Sequence, residues 1–331
     1  MGEDYVSVTE IAGDEVTQEQ IDRMCNRYYW AGEYCAGKDV VEVACGTGQG
    51  LGYLDGISRS LEAGDYSDEI LPIARKHYGE RIKLQQFDAQ EMPFEDKSKD
   101  VIILFEAVYY IPDAKRFVKE CVRVLRPGGK VLIATANKDL YDFNPSPYSY
   151  KYYGVVELND LFARHGFNAE FFGDTPVESV TIRQKILRPV KKLVVTLGIM
   201  PKTTAGKKWL KRIVFGGLVK MPAEIGPQIT QNSADLKAKK NPHPGGIAFG
   251  FHRAGITPQR NSPDKPGIPQ GRQNEKDDTT VYSGCYVEPD KISSEEANTT
   301  HKVIYCVATL DPQITPVRSS GPTGEAQIDA D

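Results

Sequence analysis

The sequence predicts an α/β protein built on a doubly wound, mainly parallel sheet, and three observations predict it. Apolar runs of strand length alternate with segments of helical period between residues 17 and 173. The first such run, residues 40–43, ends in a glycine-dense turn. Acidic residues then stand at or near the ends of successive strands, at Glu42, Asp65 and Asp88.

Thr17 followed by Gln20 has capping-box spacing, in which the hydroxyl accepts from an exposed helical amide and the glutamine returns a bond to the cap. Ile21, Met24, Cys25, Tyr28 and Cys35 recur at helical spacing, so a helix leads into the glycine strand. In the turn, Gly46, Gly48 and Gly50 permit positive φ and close approach of backbone to a nucleoside, although tight turns also use glycine for purely steric reasons. A dinucleotide loop fits worse. G-x-G-x-x-G read from Gly46 needs glycine where Leu51 stands, and starting at Gly48 or Gly50 also fails.

Downstream, a helix is expected from about residue 49, a short strand before Asp65, a helix over 67–78 closed by Gly79, and a strand over 82–87. A strand over 100–105 precedes a helix over 113–125, a turn at 126–129 and a strand over 130–135. A helix over 156–165 and a strand over 167–172 follow.

The apolar fraction of 40% and charged fraction of 26% are those of an ordinary globular protein, and 331 residues can bury one large core or two modest ones. No stretch approaches eighteen consecutive apolar residues, and Met1-Gly2-Glu3-Asp4 lacks the basic and apolar regions of a signal peptide, so a cytoplasmic protein is expected. The six cysteines, at 25, 35, 45, 121, 285 and 306, form no C-x-x-C pair and read as reduced core residues, with no metal expected. The net charge of −4 conceals a basic block, since residues 179–223 hold eleven Lys or Arg and no Asp or Glu. Val190, Leu193, Val194 and Leu197, then Trp209, Leu210, Ile213, Val214 and Leu218, lie there at helical spacing, which predicts two short basic amphipathic helices.

Residues 40–48 fit the pattern hh[DE]hxxGxG and resemble the class I S-adenosylmethionine-dependent methyltransferases, and the resemblance runs on through residue 173. It implies a methyltransferase with S-adenosyl-L-methionine as cofactor and a seven-stranded Rossmann-like sheet whose last strand is antiparallel. That strand is missing after Gly173, and the β-rich run 301–308 supplies it. Residues 1–173 and 301–310 then form the cofactor-binding domain, with 174–300 inserted before the last strand and 311–331 a tail. Within the insertion, 179–223 is expected to be a basic helical lid and 229–280, rich in Pro, Gly, Asn and Lys, to be poorly ordered.

The resemblance also implies roles for individual residues. Glu42, Ala44, Gly46 and Gly48 would surround the amino-acid and sulfonium part of the cofactor. Asp65, 23 positions after Glu42 in a Gly64-Asp65-Tyr66-Ser67 turn, would accept the ribose hydroxyls with Tyr66 beside it. Asp88 and Ala89 would clamp the adenine, Phe105 and Glu106 would close over the cofactor, and Arg27 and Tyr28 would grip the methionine carboxylate. The plain alternatives are a helix-end charge for Asp65, a turn residue for Asp88, and a surface arginine beside a core tyrosine.

Methyl transfer is an in-line displacement at an already activated carbon, so the protein supplies position and, for a hydroxyl acceptor, a base. Residues 106–113 resemble the family's loop in which histidines often occur, but Tyr109 and Tyr110 take those positions. They are the catalytic candidates, and neutral tyrosine is a poor base. Acceptor contacts are expected from Tyr109, Tyr110, Tyr141, Asn144, Tyr148 and Tyr152. Asn144-Pro145-Ser146-Pro147-Tyr148 resembles the N-P-P-Y motif of DNA amino-methyltransferases but follows the wrong strand. The expected reaction is O-methylation of a sugar or secondary-metabolite hydroxyl, lipid-linked acceptors included; N- or C-methylation of a small molecule and a non-catalytic cofactor- or lipid-binding adaptor are the alternatives. The expected partners are a small-molecule acceptor and a peripheral membrane or lipid-linked contact through the basic insertion, not nucleic acid.

Overall fold

Along the central strands, apolar side chains alternate between two faces, and this period of two decides which helices cover which side. Val41, Val43, Ile102 and Leu104 point into one buried cluster, whereas Val40, Val101, Ile103 and Phe105 point into the other. The computed structural model describes residues 9–177, 217–228 and 281–313.

The main sheet contains β1 (Asp39–Val43), β2 (Ser60–Asp65), β3 (Lys83–Gln86), β4 (Lys99–Phe105), β5 (Leu125–Ala136), β6 (Phe167–Pro176), β7 (Asp290–Ile292) and β8 (His301–Leu310). Their spatial order is β3-β2-β1-β4-β5-β8-β6-β7. β1 to β5 pair in parallel, and β8 lies antiparallel between β5 and β6, with Tyr305 opposite both Ala134 and Phe172. The late β-rich run is therefore the last strand of the sheet. An eighth strand joins the seven expected, because β7 pairs antiparallel with the outer edge of β6.

Helices α1 (Gln18–Cys35), α2 (Leu51–Ile57) and α3 (Leu71–Tyr78) contribute to one apolar cluster, and α4 (Ala114–Val124) and α5 (Val155–Ala163) to the other. The Thr17–Gln20 capping box is present at the start of α1. Asp113 caps α4 by accepting from the amides of Lys115 and Arg116 at 3.0 and 3.2 Å. α3 starts at Leu71 rather than near residue 67, because Asp65 first draws the Ser67 amide into a turn, and Pro72 then occupies the first helical turn. The expected turn at 126–129 is absorbed into the irregular start of β5, with Gly128 at φ +76°.

Leu218, placed on a basic helix by its spacing, is not helical. The next residues, Val219–Lys220, pair antiparallel with Glu15–Val16, and Met221 is fully buried, so tertiary pairing overrides the helical period there. The remainder of the expected basic helices, the stretch 229–280 and the tail beyond residue 313 lie outside the described residues.

α1 docks through Trp30, which stacks on Tyr305 at 4.7 Å and meets Tyr34 and Phe172 edge-on. Trp30→Ala is expected to lower the unfolding free energy by about 3–5 kcal/mol, measured by urea denaturation followed by circular dichroism. An unchanged midpoint and slope would show that α1 does not depend on this contact.

Candidate functional site

The order of the parallel strands reverses at β1: β2 and β3 follow it on one side, and the chain then crosses back to lay β4 on the other. A crevice opens at such a point beyond the carboxyl ends of the strands. Here it is a cavity of about 680 Å³, walled by the ends of β1, β2 and β4, by α1, and by Thr9 and Glu10. That size falls in the range of small-molecule sites, roughly 300–1,000 Å³. Two non-glycine residues at its rim are held left-handed, Ala44 (φ +54°) and Glu106 (φ +52°), each just past the end of a central strand. Such strain persists only where the surrounding structure enforces it. Gly46, at φ +57°, continues the turn beside Ala44.

Glu42 is the most deeply buried acid in the cavity wall, 1% exposed. Its Oε1 accepts from the Tyr28 hydroxyl at 2.6 Å, while its Oε2 is buried without a partner. Burial pushes its carboxyl up to about 7, against the opposing pull of the Tyr28 hydrogen bond and the Arg27 charge. Asp65 accepts from the amides of Gly46 and Ser67, both at 2.9 Å, and so pins the glycine turn to the turn after β2. Burial raises its pKa, and those amides oppose the shift. Each of its oxygens keeps a further lone pair for a ligand. Asp88 closes its own turn, accepting from the Gln90 amide at 2.8 Å and from the Gln90 side chain.

Two arginines also face the cavity, Arg23 and Arg27, and the Nε of each is buried without a partner. Burial works against the Arg27 charge, yet neighbouring Tyr28, Glu106 and Glu10 outweigh it and raise its pKa. The hydroxyl proton of Tyr28 is committed to Glu42, which leaves Arg27 as the cation of that pair of candidates.

Of the donor-side residues expected from sequence, Gly48 alone does not line the cavity. Its carbonyl accepts from the Tyr78 hydroxyl at 2.6 Å, and a Cβ there would lie 2.9 Å from Leu51 and 3.0 Å from Tyr78, so it serves packing of the turn on its helices. On the acceptor side, Tyr109 and Tyr110 line the cavity. Tyr152 stands behind them, stacked on Tyr109 at 4.2 Å. Tyr141, Asn144 and Tyr148 are exposed and do not line it, whereas Tyr150 does. Burial raises the pKa of both Tyr109 and Tyr110, so both are neutral phenols near neutral pH and neither supplies a base. Tyr109 instead donates to Glu106 Oε2 at 3.2 Å.

Sequence reasoning missed Thr9, Glu10, Arg23, Tyr150 and Tyr305 as lining residues. Thr47 and Gln49 hold the Glu10 carbonyl at 3.0 and 2.7 Å, which draws the N-terminal segment over the glycine turn. Arg23 alone carried a signal, its spacing of four from Arg27. Tyr305 lies more than two hundred residues along the chain from every other lining tyrosine except Tyr109, Tyr110 and Tyr150, and it reaches the cavity only through the placement of β8.

Residues 41–133 match a family profile described as "Methyltransferase domain". A probable S-adenosylmethionine-dependent methyltransferase of Mycolicibacterium smegmatis is 33% identical over 140 residues, covering 41% of this chain and 54% of that protein. Phthiotriol/phenolphthiotriol dimycocerosates methyltransferase 1 of Mycobacterium ulcerans is 36% identical over 135 residues, covering 38% of this chain and 47% of that protein. The chain thus spans about half the length of these curated relatives. A solved S-adenosylmethionine-dependent methyltransferase from Aquifex aeolicus aligns at 19% identity over 46% of this chain and 87% of that one, with a TM-score of 0.40. Residues 41–133, which hold the glycine turn and the parallel strands around it, are thus similar to the methyltransferase domain of S-adenosylmethionine-dependent enzymes.

Proposed function

We propose that the protein transfers a methyl group from S-adenosylmethionine to an oxygen of a small-molecule acceptor. The observation that carries the donor half is the pairing, in one cavity wall, of a buried carboxylate oxygen with no partner (Glu42) and an arginine whose Nε has none (Arg27). Opposite charges so placed fit the two ends of a zwitterionic amino acid. Asp65 offers acceptor lone pairs suited to a ribose diol. Asp88 and Ala89 line the same cavity, and the resemblance gives them to adenine.

When bound, S-adenosylmethionine supplies a methyl carbon already activated by positive sulfur. The protein then has to orient an acceptor and exclude water. Tyr109, Tyr110 and Tyr150 offer flat apolar faces with hydroxyls for that purpose. Oxygen as the methylated atom is supported by a relative named as a methyltransferase of phthiotriol and phenolphthiotriol dimycocerosates. A lipid-linked acceptor belongs to the same reading, since the basic block at 179–223 favours anionic surfaces.

Isothermal titration is expected to show S-adenosylmethionine binding that Gly46→Arg abolishes and Asp65→Ala weakens by about tenfold or more. No binding by the folded wild type would overturn the donor assignment. A screen of candidate metabolites with methyl-labelled donor, followed by location of the label, tests the acceptor atom, and label on nitrogen or carbon would overturn oxygen. Flotation with vesicles containing anionic lipid is expected to retain the protein, and equal recovery with neutral vesicles would remove the lipid-surface contact.

Glu42 also sets a pH dependence. In the unfolded chain it titrates near 4.5, and in the folded protein near 7, so between these values the folded state holds the extra proton. Its contribution to stability is therefore greatest at the low end of that window and falls as pH rises through it. Holding an ammonium group needs the ionised form, so donor affinity should rise with pH and level off above about 7. Titration with S-adenosylhomocysteine on either side of that pH, together with thermal melts, checks both trends, and Glu42→Gln should flatten them.

A further inference from the structure

Arg23 and Arg27 lie four residues apart on α1, which places them on one face of the helix, and both line the same cavity. Neither guanidinium forms an ion pair among the described residues, and the Nε of each is buried without a partner. The carboxylates that share the cavity are engaged elsewhere. Glu10 accepts from Gln20 at 2.8 Å, Glu42 from Tyr28, Asp65 from Gly46 and Ser67, Asp88 from Gln90, and Glu106 from Tyr109. Two guanidinium groups that line one cavity wall with no ion pair of their own among the described residues are placed to receive anions that arrive with ligands.

The donor brings one carboxylate. Arg27 stands next to Tyr28, whose hydroxyl is bonded to Glu42, so the cation and the anion that fit the amino-acid end are supplied by one short stretch of α1 and the end of β1. Arg23 lies one turn nearer the start of α1, beside Gln20, and is left without a role in donor binding.

We propose that Arg23 holds an oxyanion of the methyl acceptor, a phosphate or a carboxylate, next to the donor site. The inference rests on the donor reading given above. The planar fork of arginine suits either oxyanion, because two parallel N–H groups meet two oxygens. Acceptors carrying such a group are then selected over neutral analogues, with the tyrosine wall receiving the remainder of the molecule.

The test uses the full chain and separates the two arginines by ligand truncation. S-adenosylhomocysteine carries the amino-acid carboxylate, and 5′-methylthioadenosine lacks it. Arg27→Gln is expected to weaken the first by about tenfold or more and to leave the second unchanged, whereas Arg23→Gln should leave both within about twofold. In protein saturated with S-adenosylhomocysteine, methyl phosphate and acetate are titrated by calorimetry. Wild type and the surface variant Lys119→Gln should bind at least one of them, Arg23→Gln should bind about tenfold more weakly, and the stronger of the two probes identifies the oxyanion. Loss of S-adenosylhomocysteine binding in Arg23→Gln that matches Arg27→Gln, with 5′-methylthioadenosine spared, would assign both arginines to the donor and overturn the proposal. Binding of neither anion by the wild-type complex would overturn it as well, while failure of the folded wild type to bind S-adenosylhomocysteine would instead sink the donor reading. If Arg23→Gln does not fold, Arg23→Lys carries the test, because it keeps the charge and loses the fork.

Discussion

The 2.6 Å hydrogen bond from the Tyr28 hydroxyl to Glu42 is the constraint on which the site depends. It fixes α1 over the end of β1 and leaves one carboxylate oxygen buried and unsatisfied. The same ring explains Gly50, where an added Cβ would lie 2.1 Å from the Tyr28 ring. It also packs edge-on against Phe105 at the end of β4, so one side chain ties together the helix, the glycine turn and both central strands. A carboxylate held in such surroundings is costly to ionise, which makes the site's charge responsive to what enters it.

A second layer holds this arrangement closed. Glu10 is fastened over the glycine turn by Thr47 and Gln49, and the segment that follows is fastened in turn by residues 217–228. Gly13 and Asp14 exchange backbone bonds with Met221, and the Ile225 amide donates to the Gln49 carbonyl at 2.7 Å. Glu224 joins His77 and Arg81 on the far side of the turn, where a side chain on Gly52 would collide with it. Residues 217–228 thus help to hold the glycine turn beside the cavity in place. Stability spent in one region and strain at Ala44 and Glu106 belong to the same economy of a preorganised pocket.

Much of the fold was legible because its signals are local. The capping box at Thr17 and Gln20 and the apolar runs of β1 and β4 each depend on residues within a few positions of one another. The glycine turn, Asp65 and Asp88 were legible for the same reason, since each sits at the end of a strand that the pattern marks. Helix starts were read less well where a side chain redirected the backbone, as Asp65 does for Ser67. Leu218 was misread because pairing with a distant two-residue strand displaced a locally plausible helical period.

The sequence by itself determined the strand and helix order, the glycine turn and the acids at the strand ends, because hydrophobic periodicity and turn chemistry act over short separations. Tertiary structure alone decided which tyrosines meet the cavity, that Tyr305 and the segment around Glu10 reach it, that β7 extends the sheet, and that Arg23 and Arg27 share a wall with the Nε of each buried and unpartnered. Those outcomes depend on contacts between segments far apart in the chain, and no local spacing encodes where a returning strand or an insertion will come to rest.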